Sequence, residues 1–296
     1  MNHRAIAPEA DGLQAALSEL QSCFPAHEAS AGGAVLAYRE LAAAAGAAPA
    51  AGPVFVLLHG IGSGAASWLP CALELARRVP GARVIAWSAP GYGKSSTLAP
   101  SRPGASDYAL RLQQLVQALA IGWFTLVGHS LGAMVAAAYA AARPATLERL
   151  VLLSPARGYG VPERLAQGAQ VARDRLSTLG ELGIHGMATQ RSARLLSAGA
   201  NATQRDWVRW NMAQLNAAGY TQAVHLLCGD AIENYAQPAM AGVPGAVWCG
   251  SADTVTTPDD SRSVARQYGF PFGLIDAAGH ACYVEQPELA AAAILS

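Results

Sequence analysis

The sequence predicts an α/β protein built on a doubly wound, mostly parallel β-sheet with an inserted block of helices. Two observations predict this class. Short apolar segments that do not alternate with polar residues recur between helical segments, which is typical of a parallel sheet covered on both faces. This rhythm stops over residues 155–242, whose periodicity is helical, and then resumes. With 296 residues and 52% hydrophobic positions, the chain has ample material for a large core.

The charge balance excludes several classes of function. Lys and Arg together number 20, as do Asp and Glu, so the formal net charge is +0. Binding to nucleic acids or to anionic membranes generally rests on an excess of positive charge, so we expect neither partner. Only 14% of the residues are charged, a fraction too low for a disordered or solvating chain.

The N-terminal residues and the cysteines favour a cytoplasmic location. Residues 1–12 hold no apolar run typical of a secretory signal, and no stretch of the chain is predicted to span a membrane. The cysteines are odd in number, widely spread and free of any CxxC pair, so we expect free thiols in a reducing compartment and no metal site. They are Cys23, Cys71, Cys228, Cys249 and Cys282.

The first fifty residues are predicted to contain one helix and one strand. Residues 9–21 carry Leu13, Leu17 and Leu20 at helical spacing. Residues 34–40 are predicted to form an edge strand. The run rich in Ala, Gly and Pro at residues 42–53 is predicted to be a loop or a short helix.

Beyond residue 53, strands and helices alternate regularly. The predicted strands are apolar runs at residues 54–59, 83–87, 124–127, 150–153, 246–249 and 270–275. One predicted helix spans residues 67–79, and a second runs from the N-cap Ser106 to about Ala120. A third, Ala-rich helix ends at about Arg143, and two more begin at Pro258 and at Pro287. We therefore expect one core domain, residues 1–154 and 243–296, into which residues 155–242 are inserted.

One motif between a predicted strand and a predicted helix indicates a nucleophile. Gly128-His129-Ser130-Leu131-Gly132 matches G-x-S-x-G and follows the apolar residues 124–127. In this motif the chain turns so sharply that the middle side chain is raised above the sheet, and the flanking glycines leave room for the close approach. Ser130 is therefore the candidate nucleophile.

A serine hydroxyl needs a base, and the base needs a third group to orient it. The expected order after the nucleophile is an acid and then a histidine. Asp253 and His280 each follow a predicted strand, at the sheet edge where Ser130 lies. Asp276 is a second candidate acid, whereas Asp259 and Asp260 are expected in the first turn of a helix. His59 and His129 are expected to orient backbone groups.

Acyl transfer places negative charge on the former carbonyl oxygen, so hydrogen-bond donors must face it. The backbone N–H of Leu131, directly after the nucleophile, is one expected donor of this oxyanion hole. The second is expected from the glycine-rich loop after residues 54–59, at the backbone N–H of Ile61.

Two other glycine motifs point to nucleotides, and both fail. Gly60-Ile61-Gly62 with Ala65 loosely fits a dinucleotide-binding turn, but the acid that would hold the ribose is replaced by Trp87-Ser88. Gly93-Lys94-Ser95 resembles the end of a phosphate-binding loop, but the first glycine of that motif would fall at Ser88. We expect no cofactor.

Together these motifs resemble the α/β-hydrolase superfamily from about residue 34 to the end of the chain. The resemblance rests on residues 59–62, 90–95 and 128–132, the Asp253 loop and Gly279-His280. It implies a Ser–His–Asp hydrolase with the α/β-hydrolase fold and a helical cap at residues 155–242. Many relatives have Asp where this chain has Ser88, so the contact made by that Asp in its turn is not expected here.

The resemblance also narrows the reaction. Haloalkane dehalogenases and epoxide hydrolases of the superfamily use Asp as nucleophile, and Ser130 argues against both. Carbon–carbon bond hydrolases often have Trp after the catalytic His, where this chain has Ala281. Esterases, enol-lactone hydrolases and cofactor-free haloperoxidase-like enzymes remain similar. We expect a serine hydrolase of small esters or lactones, with a carbon–carbon hydrolase, a haloperoxidase-like enzyme or a non-enzymatic receptor as alternatives.

The expected partner is a small-molecule substrate, and a homodimer is left open. Trp207 and Trp210 are candidates for lining the substrate pocket, with packing inside the cap as the alternative. Arg205 and Arg209 are candidates for meeting an acidic substrate, although exposed arginines on a helix are the usual case.

Overall fold

A computed structural model describes residues 10–41, 52–142, 145–236 and 242–296. Its eight strands form one sheet in the order β1-β2-β4-β3-β5-β6-β7-β8. The strands are β1 (Ala26–Ala31), β2 (Ala34–Glu40), β3 (Val54–Leu58), β4 (Arg83–Trp87), β5 (Phe124–His129), β6 (Leu147–Leu153), β7 (Gly245–Gly250) and β8 (Phe272–Ile275). Neighbours from β4 to β8 run parallel, and the β1–β2 and β2–β4 pairs are antiparallel. The predicted α/β class is confirmed.

Ten α-helices accompany the sheet in the described residues. They are α1 (Ala10–Cys23), α2 (Leu69–Arg78), α3 (Ala105–Ala118), α4 (Leu131–Ala141), α5 (Leu165–Arg191), α6 (Ala202–Ala213), α7 (Ala217–Gly229), α8 (Pro258–Tyr268), α9 (Cys282–Glu285) and α10 (Pro287–Leu295). None is long and apolar enough to cross a membrane.

Two hydrophobic clusters lie on the two faces of the sheet. Because successive strand residues point to opposite faces, Val56 and Leu58 pack with α3 and α4, whereas Phe55 and Leu57 pack with α2 and α10. This double covering explains why β3, in the middle of the sheet, is apolar at every position.

The structure corrects three details of the predicted elements. Residues 34–40 do form a strand, but β1 pairs outside it and occupies the edge of the sheet. Helix α3 is capped by Gly104, whose backbone N–H donates to Asp107 at 2.8 Å, so Ser106 is not the N-cap. Helix α9 was not predicted. The predicted loop or helix at residues 42–53 lies largely outside the described residues.

Helices α5, α6 and α7 lie between β6 and β7, within the 155–242 segment. Asp230, directly after α7, ties this segment to the core. One of its carboxylate oxygens accepts hydrogen bonds from the backbone N–H of Ala105 at 2.8 Å and from the Tyr235 hydroxyl at 2.7 Å. Asp230 thus binds the N-terminus of α3, where a negative charge meets unpaired N–H groups.

The turn at residues 90–95 keeps its shape with Ser88 in place of an acid. The Ser95 hydroxyl donates to the Ser88 carbonyl at 2.7 Å, and the Ser88 N–H donates to the Ala37 carbonyl at 2.9 Å. Serine hydroxyl and backbone groups therefore make the contacts at this turn.

Candidate active site

Three loops at the carboxyl ends of parallel strands bring the predicted triad to one edge of the sheet. Ser130 follows β5, Asp253 follows β7 and His280 follows β8. Since β5, β6, β7 and β8 are consecutive parallel neighbours, their carboxyl ends meet at the same rim.

The turn between β5 and α4 holds Ser130 in a strained conformation. Its φ of 52° and ψ of −116° are unusual for a residue with a side chain. A Cβ at Gly132 would lie 2.7 Å from the His59 carbonyl oxygen, and one at Gly128 would lie 2.7 Å from the Ala133 Cα. Both positions therefore require glycine, which gives the G-x-S-x-G pattern its physical reason.

Asp253 and His280 form a buried hydrogen-bonded pair. His280 Nδ1 lies 2.9 Å from Asp253 Oδ2, and both residues are almost fully buried. The other carboxylate oxygen accepts from the backbone N–H groups of Val255 at 2.8 Å and Thr256 at 3.0 Å. Asp276 is exposed, so Asp253 is the acid that contacts the histidine. Asp259 and Asp260 lie in the first turn of α8 as predicted.

The environment of Asp253 keeps it ionised. Burial favours the protonated form, but the charge and hydrogen bond of His280 and the two backbone N–H groups outweigh it and lower the pKa of Asp253 to about 2. An ionised Asp253 accepts a hydrogen bond from the N–H at His280 Nδ1, which leaves the Nε2 atom as the basic nitrogen.

Thr256 is a further polar contact of this pair, which no sequence motif indicates. Its hydroxyl lies 3.0 Å from Asp253 Oδ2, 3.1 Å from His280 Nδ1 and 2.9 Å from the Ser154 carbonyl. Its place three residues after the acid is the only signal in the sequence, and threonines in loops are too common for it to be specific.

His59 and His129 orient backbone groups, as the sequence analysis expected. His59 Nδ1 donates to the Gly60 carbonyl at 2.9 Å, and its Nε2 accepts from the Ala89 N–H at 3.1 Å. His129 Nε2 donates to the His280 carbonyl at 2.8 Å. Burial lowers the pKa of His59 to about 4 and, with the nearby His280, lowers the pKa of His129 to about 3. Both rings are therefore neutral at pH 7.

Of the two expected oxyanion donors, Leu131 directly follows Ser130 in the chain, and Ile61 lines the same cavity as Ser130. Leu131 is the first residue of α4, where backbone N–H groups lack partners within the helix. The Gly60 carbonyl accepts hydrogen bonds from His59 Nδ1 and from the Ser63 N–H at 3.2 Å. Since the C=O and N–H of a trans peptide point in opposite directions, these bonds also fix the direction of the Ile61 N–H.

A cavity of about 280 Å³ lies at this rim of the sheet. Ser130, His280 and Ile61 line it from the core. Apolar side chains of the 155–242 segment line it from the opposite side: Met187, Leu195, Val208, Met212, Tyr220 and Leu227. The small volume and the combination of apolar side chains with polar groups in the lining suit a small molecule.

Trp207 and Trp210, which are candidates for lining the pocket with packing as the alternative, are not among the residues that line this cavity. Trp207 is buried, and its ring stacks on that of Trp210 with 5.3 Å between centroids. On α6 it is Val208 and Met212, one turn apart, that face the cavity. The tryptophans lie on another side of the helix and pack the segment against the core.

The two arginines of α6 do not meet the cavity either. Arg209 pairs with Asp206 at 2.6 Å, and Arg205 donates to the Ala200 carbonyl. Among the described residues, no three His, Cys, Asp or Glu side chains form a metal-binding cluster.

The comparisons with known proteins agree on the fold. Residues 53–287 match the family model described as the alpha/beta hydrolase fold. A thermophilic esterase from Thermogutta terrifontis superposes with a TM-score of 0.75 at 22% identity, covering 91% of this chain and 96% of that one. An enol-lactonase from Burkholderia xenovorans gives a TM-score of 0.74 at 23% identity, covering 91% and 98%. At these identities the two structures are similar in fold.

The sequence relatives are more similar in identity than these two structures, but they match a smaller share of this chain. An (E)-2-((N-methylformamido)methylene)succinate hydrolase from Acinetobacter baylyi is 27% identical over 220 residues, 73% of this chain and 78% of that protein. Three mycobacterial relatives are 36% identical over 107 residues, and the chain spans 29% of their length.

Proposed function

Because the chain belongs to the α/β-hydrolase fold family, we propose that it is a serine hydrolase that cleaves a small carboxylic ester or lactone through an acyl-enzyme intermediate. The observation that carries the proposal is the Asp253–His280 hydrogen bond of 2.9 Å in the same cavity rim as the strained Ser130.

In the proposed reaction, Ser130 Oγ attacks the carbonyl carbon while His280 Nε2 accepts the hydroxyl proton. Asp253 stabilises the positive imidazolium that results. The backbone N–H groups of Leu131 and Ile61 donate to the developing oxyanion, and each such donor contributes about 3–4 kcal/mol to transition-state stabilisation. His280 then protonates the leaving oxygen, and a water molecule activated by the same base releases the acid.

The 155–242 segment is proposed to act as a cap that sets substrate specificity. Its side chains form the wall of the cavity that faces Ser130. The names of two similar proteins, an enol-lactonase and a hydrolase of a succinate derivative, support a small carbonyl compound as substrate. The five free cysteines support a cytoplasmic location for this reaction.

The test uses the wild-type protein, Ser130→Ala and the control Ser177→Ala, which changes an exposed serine on α5. Each is assayed on p-nitrophenyl esters and lactones, and folding is checked by circular dichroism. We expect turnover by the wild type and the control and none by Ser130→Ala. A fluorophosphonate probe followed by mass spectrometry should add its mass to Ser130.

Three outcomes would contradict the proposal. If Ser130→Ala hydrolysed esters at the wild-type rate, Ser130 would not be the nucleophile. Absence of labelling at Ser130 would favour a non-enzymatic binding protein. Labelling without turnover of any ester or lactone would favour a carbon–carbon bond hydrolase or a receptor.

A further inference from the structure

More basic than acidic residues line the cavity, although the formal net charge of the whole chain is +0. Over the whole chain basic and acidic residues number 20 each. Among the residues that line the cavity, however, Asp260 is the single carboxylate against five arginines, which are Arg157, Arg164, Arg175, Arg191 and Arg194. Positive charge is therefore concentrated around the cavity.

Two of these arginines are neutralised by nearby acids. Arg157 and Arg164 each lie 2.8 Å from the same oxygen of Glu233, and Arg157 also lies 3.4 Å from Asp260. The other three form no ion pair within 4.0 Å with any acid in the part of the chain that the structure describes.

Arg175 and Arg191 are only partly exposed, so water does not fully solvate their charges. Arg175 Nη1 donates to the Tyr220 hydroxyl at 3.2 Å, and its buried Nε atom has no hydrogen-bond partner among the described residues. Burial, together with the positive charges of Arg175 and Arg194, lowers the pKa of Arg191. Donors held in this way are costly unless an acceptor binds them.

A break in α5 brings the two arginines to one cavity. In a straight helix their Cα atoms would be about 24 Å apart, at about 1.5 Å per residue. Gly183 lies between them with φ 62° and ψ −176°, a conformation outside the helical region. The two halves of α5 therefore take different directions, and both arginines line the cavity with Ser130.

We propose that Arg175 and Arg191 form a carboxylate-binding subsite, so that the substrate is an ester or lactone carrying a second, ionised carboxylate. The inference rests on the proposed serine hydrolase activity. A guanidinium group offers planar, paired donors that match a carboxylate. Arg194, which is exposed, adds positive charge at the edge of the subsite.

Matched substrates test the proposal. Mono(4-nitrophenyl) adipate carries a free carboxylate, and methyl 4-nitrophenyl adipate is its neutral counterpart. We expect the wild type to have a kcat/KM at least about tenfold higher for the anionic ester. Arg175→Gln and Arg191→Gln should each remove most of this preference, because kcat/KM should fall more for the anionic ester than for the neutral one, and the lysine variants should keep part of it.

Arg173→Gln is the matched control, because Arg173 lies exposed on the same helix and does not line the cavity. It should behave as the wild type. Equal hydrolysis of the two esters by the wild type, or equal losses on both esters in the arginine variants, would overturn the subsite and leave the serine hydrolase intact.

A binding measurement tests the subsite even if the protein has no hydrolase activity. If the wild type hydrolyses neither ester, titration calorimetry measures the subsite directly with monomethyl adipate, which carries one carboxylate, and dimethyl adipate, which carries none. Tighter binding of monomethyl adipate that is lost in both glutamine variants would support the subsite. Binding that does not differ between the two compounds, or that survives both substitutions, would overturn it.

Discussion

The Glu285 carboxylate accepts a hydrogen bond from the backbone N–H of Gly279 at 2.7 Å, directly before His280 in the chain. Its second oxygen accepts from the backbone N–H of Ser197 at 2.9 Å and from the Ser197 hydroxyl at 2.6 Å. One buried acid thus joins the loop of the candidate base to the 155–242 segment.

We expect Glu285→Gln to lower both stability and activity. Each carboxylate oxygen faces a backbone N–H, so either orientation of the amide places an NH₂ group against a donor. The expected loss in the free energy of unfolding is about 1–3 kcal/mol, measured by denaturant unfolding. The kcat for ester hydrolysis should fall as the His280 loop shifts. Glu288→Gln, an exposed change on α10, is the control, and equal behaviour of the two variants would contradict the prediction.

The buried histidines should make stability depend on pH below neutrality. The pKa of His129 is lowered from 6.5 to about 3 and that of His59 from 6.5 to about 4. Below pH 6.5 the unfolded chain therefore binds protons that the folded chain does not, so the free energy of unfolding falls as pH falls. Each histidine contributes about 1.4 kcal/mol per pH unit, down to its folded pKa.

Denaturant unfolding between pH 7 and pH 5 measures this slope above the titration range of Asp253. His129→Gln retains a donor toward the His280 carbonyl but cannot titrate, so it should flatten the slope by about 1.4 kcal/mol per pH unit. His185→Gln, at an exposed position of α5, should leave the slope as it is. An unchanged slope in His129→Gln would show that this ring titrates in the folded chain as it does in the unfolded chain, and would contradict the lowered pKa.

The break in α5 can be tested at Gly183. Alanine strongly disfavours φ 62° with ψ −176°, so Gly183→Ala should cost about 1–3 kcal/mol in unfolding free energy. It should also reduce the preference for mono(4-nitrophenyl) adipate, because the two arginines would no longer share one cavity. Gly180→Ala is the control in the same helix, where a Cβ would meet no heavy atom within 4 Å. Helix propensity predicts unchanged or slightly higher stability there, and a similar gain at Gly183 would contradict the break.

Much of the fold and of the candidate site could be predicted because the relevant patterns are local. The apolar runs of β3 to β7, the turn around Ser130 and the loops of Asp253 and His280 are each visible within a few residues of sequence. Strand β1 was missed because Ala-His-Glu-Ala-Ser-Ala has low strand propensity and forms a strand by pairing with β2. The available signal was Gly32-Gly33, a two-residue hairpin turn with both glycines at positive φ.

The composition of the cavity wall could not be predicted in the same way. Helical periodicity in α6 does not say which of Trp207 and Val208 faces the cavity, since both are apolar and both are buried. Arginines on a helix usually face solvent, but here Arg175 and Arg191, on either side of the break at Gly183, line the same cavity as Ser130. Such long-range placement depends on packing between elements that the sequence leaves open.

The hydrogen bond from Ala105 to Asp230 makes the stability of the core depend on residues far along the chain. If the 155–242 segment unfolds, the N-terminus of α3 loses its hydrogen bond to the Asp230 carboxylate. The sheet and the segment therefore lose stability together. We therefore expect heating to melt the molecule in one cooperative transition. A dicarboxylate bound by arginines of the segment would raise the melting temperature of the whole chain, including strands it never touches.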